Sequence, residues 1–219
     1  LTRSDLAART REVVKQGHGI KPDVLLVEAA GGRVIVKDYA RRGPLVRHFL
    51  GPWLARREQR VIRSLETVAA VPRSLGAIDP LAFVLEFRPG EPLSRALARR
   101  LGADRIEGFL ADLEDSLAAM YECGVIHLDL RHRDNILLGE DSKPVLLDFA
   151  AAMAFRPGSF WYRWYRPTVR IYDERALAKW RDRLRPGALT SRRSFRRRVW
   201  SRLRGRPRSR DSRSANRAG

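Results

Sequence analysis

The stretch Gly124-Val-Ile-His-Leu-Asp-Leu-Arg-His-Arg-Asp-Asn-Ile-Leu-Leu138, with Leu147-Asp148-Phe149 soon after it, decides how this chain is read. Two carboxylates and one carboxamide (Asp129, Asn135 and Asp148) stand on short loops between apolar, strand-like runs. Hard oxygen donors in such places suit magnesium, which keeps several waters and asks for near-octahedral geometry. A further carboxylate beside them suits the orientation of a hydroxyl for attack. Together they point to phosphoryl transfer from a nucleotide before other chemistry. Asp148 carries the sharpest signal, because a carboxylate at an apolar strand end is costly unless it meets a partner or a metal.

Outward from that stretch, periodicity supplies the frame. Residues 4–16 are expected to form a short helix capped by Ser4 or Asp5, ended by Gly17-His18-Gly19. Asp23–Glu28 and Arg33–Tyr39 are β-rich runs separated by Ala-Ala-Gly-Gly, which reads as a hairpin. Pro52 opens a helix through Ser64, with Trp53, Leu54, Val61, Ile62 and Leu65 on one stripe. Strands follow at Val71–Ile78 and Ala82–Phe87, and Arg88-Pro-Gly-Glu-Pro92 reads as a turn-rich linker. Leu93–Leu101 and Ala103–Cys123 then read as helices, the second ended by Gly124. A sheet with one helix, a linker, then helices around short strands implies an α+β chain of two lobes.

This order resembles the protein-kinase-like fold in a reduced form. It is similar to the small bacterial RIO kinases and lipopolysaccharide-core (Kdo) kinases, over roughly residues 15–155. His127-Leu-Asp129 resembles the His-Arg-Asp catalytic loop, which would make Asp129 the base, and Asn135 resembles the metal-binding asparagine that closes it. Arg131 resembles the basic residue that offsets transition-state charge. Asp148-Phe-Ala150 resembles the Asp-Phe-Gly magnesium motif, and Val34-Ile-Val-Lys37 the strand whose lysine holds the α- and β-phosphates. Glu58 sits where the partner of that lysine belongs. Leu85-Glu-Phe-Arg88 resembles the hinge, where the backbone of Glu86 and Arg88 would pair with adenine. The pattern departs from the family at three places. Asp129 to Asn135 is one residue longer than usual, so a small bulge is expected. Ala150 replaces a glycine, and Gly17-His-Gly19 is the sole candidate for a glycine-rich loop.

Charge divides the chain differently. The net charge of +19 over 219 residues falls almost wholly in residues 156–219, which hold 21 Lys/Arg against 4 Asp/Glu. Residues 1–155 hold 23 against 21. Only one helix is expected in the basic part, Asp173–Leu184, with Ala176, Leu177, Trp180 and Leu184 on one face. Residues 186–219 contain 12 Arg and one acid, a composition expected to stay disordered when free. Aromatics interleaved with arginine, as in Phe160-Trp-Tyr-Arg-Trp-Tyr-Arg166, suit an anionic membrane surface and, less well, RNA. The single cysteine, Cys123, fits a reducing cytoplasm. No apolar run approaches the roughly 18 residues that span a bilayer, so cytoplasmic placement is expected, peripheral at the inner membrane face if the tail binds there.

The expectation is therefore an N-lobe over residues 1–87, a C-lobe over 88–185 and a basic tail over 186–219. ATP and Mg2+ would be used to phosphorylate a hydroxyl, on protein Ser/Thr or on a lipopolysaccharide-core sugar. The alternative is a catalytically weak pseudokinase, a nucleotide-binding scaffold tethered to membrane or RNA by its tail.

Overall fold

Thr10–Lys15 (β1), Asp23–Ala29 (β2), Gly32–Asp38 (β3), Ser74–Asp79 (β4) and Ala82–Glu86 (β5) form one antiparallel sheet of order β1-β2-β3-β5-β4. The structure is a computed structural model and describes residues 1–184, without the side chains of residues 161 and 165–169. The basic tail expected over 186–219 lies outside the described residues.

Period-two alternation gives the sheet two different faces. Val27, Val34, Val36, Ala82 and Val84 lie on one of them, covered by Leu6 of the first helix, Arg3–Arg9 (α1). Phe83 and Leu85 turn the other way and join the main core with Ala55, Val61 and Ile62 of the helix Gly51–Arg63 (α2). Each large side chain buried there contributes roughly 1.5–3 kcal/mol. Lys37 pairs with Phe83 across β3 and β5, so the same alternation aims it at α2. A one-residue slip would turn Lys37 toward the opposite face.

One expectation fails in this half. The helix foreseen over 4–16 stops at Arg9, and Thr10–Lys15 is a strand paired with β2. Val13 and Val14 are β-branched and fit a pleated edge, where Val13 pairs with Leu25 of β2. Arg3 fastens α1 to the sheet through Asp38 (2.6 Å) and Asp79 (2.6 Å). The helix expected from Pro52 is preceded by a π-helical turn, Val46–Leu50, that runs straight into α2.

The second half is helical, with the helices Arg95–Leu101 (α3), Ala103–Glu122 (α4) and Phe160–Leu184 (α5) around short strands. Gly90–Pro92 (β6) is paired rather than a free linker: it binds Ile136–Gly139 (β8), which in turn binds Pro144–Leu146 (β9). Val125–Ile126 (β7) pairs with Met153–Ala154 (β10). These two small sheets hold both ends of the loop 127–135 and both ends of the segment around Asp148. Gly124 has φ +78, and a Cβ there would meet the Phe155 carbonyl oxygen at 2.3 Å, so no other residue fits between α4 and β7. α5 begins thirteen residues before the expected Asp173. Ser159 Oγ accepts the Tyr162 N–H at its start (3.2 Å), and the Tyr162 hydroxyl donates to the Tyr121 carbonyl. The α+β, two-lobed architecture of a reduced kinase-like chain is thus present.

Candidate active site

Lys37 is the centre of the first cluster. Its ammonium donates to Glu58 Oε1 at 2.6 Å and to Asp148 Oδ1 at 2.9 Å. Lys37 and Glu58 are buried and Asp148 is partly open. Glu58 arrives there because it lies on the inward face of α2 with Ala55, Gln59 and Ile62. Burial alone would lower the lysine pKa, but the pull of Glu58 and then Asp148 outweighs it and raises it. Burial pushes the Glu58 carboxyl up, with Lys37 opposing. Burial also acts to raise Asp148, yet the charge of Lys37 prevails and holds its carboxyl below the usual range. A lysine charged at all ordinary pH values therefore stands beside an ionised, partly open carboxylate. Such a pair can meet a polyanion and its metal together.

The second cluster is built on His127. Its Nε2 is 3.0 Å from the Leu147 carbonyl, and the Asp129 N–H donates to its Nδ1 at 3.3 Å. Those partners fix the tautomer, with the proton on Nε2. Burial pushes the ring down to about 4, so the imidazole is neutral at pH 7. It also packs against the Phe149 ring at 4.7 Å. Asn135 Nδ2 donates to the Asp129 carbonyl (2.8 Å) and to Asp129 Oδ2 (3.0 Å). The Asn135 backbone carbonyl accepts the Leu147 N–H at 2.9 Å, next to Asp148. Lys37, Glu58 and Asp148 thus form one polar cluster and Asn135 with Asp129 a second, joined through the backbone of Leu147 beside Asp148. The loop ends in a 3-10 turn over Arg133–Asn135, where the Asn135 N–H donates to the His132 carbonyl (3.2 Å). Leu128 (φ 67) and Asp148 (φ 62) hold left-handed backbone, which costs each about 1–2 kcal/mol and must be compensated by the surroundings.

The compensation comes from residues that the sequence reading did not single out. Asp173, fully buried on α5, accepts the N–H of His127 (3.0 Å) and of Leu128 (2.8 Å), and the Tyr121 hydroxyl at 3.3 Å. Burial raises its carboxyl to about 6, against those hydrogen bonds. Trp180 Nε1 donates to the Leu130 carbonyl (2.8 Å) and Lys179 Nζ to the Arg131 carbonyl (2.9 Å), so three residues of α5 grip the loop. Across the cleft, Arg57 on α2 donates to the carbonyls of Ala150 (2.6 Å) and Ala152 (2.5 Å), tying the helix of Glu58 to the segment after Asp148. One signal was available for Asp173: it is an acid in line with the apolar positions 176, 177 and 180 of its helix.

Other expected residues stand outside these two clusters. Arg131 is exposed on the outer side of the loop. The Glu86 N–H donates to the Arg73 carbonyl (2.9 Å), and its carboxylate accepts the Arg73 N–H (3.1 Å). The Arg88 guanidinium donates to the Ala69 carbonyl. The Gly17 N–H is held by Asp23 Oδ1 at 2.7 Å, and its carbonyl accepts from Arg42. His132 Nε2 lies 3.5 Å from Asp129 Oδ1, at the mouth of the loop.

No protein-family model matches the chain. Among curated proteins it is similar to a probable serine/threonine-protein kinase, PkwA, of Thermomonospora curvata, with 29% identity over 149 residues, 65% of this chain and 19% of that protein. It is 36% identical over 82 residues to the serine/threonine-protein kinase PKH3 of Saccharomyces cerevisiae, covering 36% of this chain and 9% of that one. The striated muscle preferentially expressed protein kinase of Danio rerio is 24% identical over 164 residues, 69% of this chain and 5% of that one. The chain thus spans less than a fifth of the length of each of these relatives. All three likenesses are to protein kinases, two of them named as serine/threonine kinases, and they support a kinase-like function in general.

Proposed function

We propose that this chain transfers the γ-phosphoryl group of ATP, with magnesium, to a hydroxyl acceptor. The observation that carries the reading is the joining of two clusters, Lys37 with Glu58 and Asp148 and Asn135 with Asp129, through the Leu147 N–H that donates to the Asn135 carbonyl beside Asp148. In this reading residues 1–87 are the N-lobe and 88–185 the C-lobe, with the cleft between them. Lys37 neutralises the α- and β-phosphates and Glu58 keeps its ammonium in place. The backbone of Glu86 and Arg88 lines the adenine end.

The donor set fits magnesium. With its amide nitrogen committed to Asp129, Asn135 has its side-chain oxygen left for ligation, and Asp148 offers a partly open carboxylate. Magnesium is ordinarily held by one or two such groups together with substrate phosphates and water. When bound it would neutralise charge on the transferring group. Asp129 then orients the acceptor hydroxyl and takes up its proton, while Arg131 supplies positive charge at the loop rim.

The names of the relatives support protein Ser/Thr as acceptor. A RIO-like or Kdo-kinase-like identity, with a lipopolysaccharide-core sugar as acceptor, is the finer form of the proposal and rests on the resemblance of the motifs around Asp129 and Asp148. We place the protein in the cytoplasm, with residues 156–219 as its contact to an anionic surface. A second reading, the weakly active nucleotide-binding scaffold, is favoured by one observation: the Gly17 amide is bound to Asp23 instead of being open to phosphate. The test is γ-labelled ATP with membrane lipid extract and with mixed cytosolic protein. Label that disappears in both Asp129→Asn and Asp148→Asn supports the kinase. ATP binding with no magnesium-dependent label in either fraction sinks it and leaves the scaffold.

A further inference from the structure

A helix with one face in the core normally turns a polar face outward. α5 does not. Its inner face carries Tyr162, Asp173, Ala176, Leu177, Trp180 and Leu184, all buried. Its outer face carries Phe160, Trp164, Ile171 and Tyr172, which are 69%, 65%, 40% and 54% exposed. The 3.6-residue period sets Phe160, Trp164 and Ile171 nearly in line, with Tyr172 and the exposed Arg175 beside them and Arg163 on the other flank. The result is two exposed apolar pairs, Phe160 with Trp164 and Ile171 with Tyr172, at the ends of about 18 Å of helix and flanked by Arg163 and Arg175. It belongs to the part of the chain with 21 Lys/Arg against 4 Asp/Glu.

We propose that this outer face of α5 lies on an anionic phospholipid bilayer and holds the loop 127–135 above that surface. An interfacial helix buries aromatic and aliphatic side chains at the headgroup boundary, while its arginines meet lipid phosphates. Each feature of this face has a use in that setting. Single-stranded RNA fits less well, since it asks for a basic groove with stacking platforms, and this face is a convex ridge bearing an isoleucine. No described helix is long and apolar enough to cross a membrane, so α5 would lie along the surface.

The inner face of the same helix grips the loop through Asp173, Lys179 and Trp180. Docking therefore sets Asp129 one helix diameter, about 10 Å, above the headgroups. Acceptor hydroxyls presented at a membrane surface lie within that reach. This last consequence rests on the kinase reading, whereas the docking does not.

The test is sedimentation of the full chain with vesicles of phosphatidylcholine alone or mixed with phosphatidylglycerol. Binding to the mixed vesicles is expected, weakened about tenfold or more in the triple variant Phe160→Ala, Trp164→Ala, Tyr172→Ala. Alanine is chosen because it favours helix, so α5 should persist, and the thermal unfolding curve checks this. If the triple variant does not fold, Trp164→Ala alone must weaken binding measurably. Equal binding by a folded variant and the wild type would leave the attraction to the basic tail and overturn the proposal. So would binding to a uridine homopolymer with none to vesicles. Asp129→Asn should bind vesicles as the wild type does, so loss of kinase activity and loss of docking are read separately.

Discussion

Asp148 and Asp173 are two carboxylates on opposite sides of one loop, and the protein stabilises them by different means. Asp148 ends an apolar strand and is held by an ammonium 2.9 Å away, which keeps it ionised and partly open. Asp173 is sealed in the core and held by two backbone N–H groups and a phenol, and burial raises it to about 6. The first arrangement suits a site that must receive a metal and phosphates. The second suits a bracket, since backbone donors hold a loop in one shape and bind nothing else. The difference teaches that carboxylates a few residues from the same chemistry need not share a role. Only the partner tells which is which.

The largest expected effect breaks the first region. Lys37→Met should lower phosphoryl transfer by about 10²–10³-fold. It should also destabilise the fold by about 3–5 kcal/mol, because the buried Glu58 loses its counter-charge. Adding Glu58→Leu should restore most of the stability in chemical denaturation and none of the transfer. Recovery of both would mean that the pair serves the fold alone.

The second region should respond the other way round. Asp173→Ala orphans the N–H groups of His127 and Leu128 and should cost about 2–4 kcal/mol, read as a fall in the urea midpoint. Activity should be lost only in proportion to unfolding and loop disorder, with ATP affinity of the folded fraction near wild type. A clean loss of ATP binding in a fully folded variant would move Asp173 into the binding machinery.

A smaller, pH-dependent effect sharpens the contrast. Asp173 is raised from 3.8 to about 6, so its contribution is fully present below 3.8 and lost as pH rises through about 6. His127 is lowered from 6.5 to about 4, so its contribution is present above 6.5 and lost as pH falls through about 4. The two slopes oppose each other over pH 4–6, with the raised Glu58 carboxyl adding to the Asp173 side. Asp173→Asn removes one slope, so on acidification across that window its urea midpoint should fall relative to that of the wild type. The Asp148 contribution, present above 3.8 and lost below, stays outside it. The smallest expected effect is Trp180→Phe, which removes the donor to the Leu130 carbonyl and should cost about 1 kcal/mol. A cost of several kcal/mol would make this hydrogen bond, and not Asp173, the main bracket of the loop.

The first region was largely legible before the structure. Lys37 stands on an alternating strand, Glu58 on a helical stripe and Asp148 at an apolar strand end, and each of these patterns is local. The second was not. The partners of Asp173 are amide groups 46 and 45 residues away, which every sequence possesses and none advertises. β1 was misread because Thr10–Lys15 is an edge strand with little burial, so no alternation marks it. The early start of α5 was hidden by Pro167, a helix-breaking signal, and by aromatics on both faces. β6 was hidden by turn residues that nonetheless pair with β8.

By itself the sequence determined the α+β order of elements, the residues that gather around Lys37 and the concentration of positive charge after residue 155. Those follow from hydrophobic periodicity and from side chains whose chemistry is unusual for their place. The tertiary structure alone decided that β1 is a strand, that α5 turns an aromatic face outward and that a buried aspartate brackets the loop. Such features depend on backbone hydrogen bonds and packing between segments far apart in the chain, and those leave no local pattern to read.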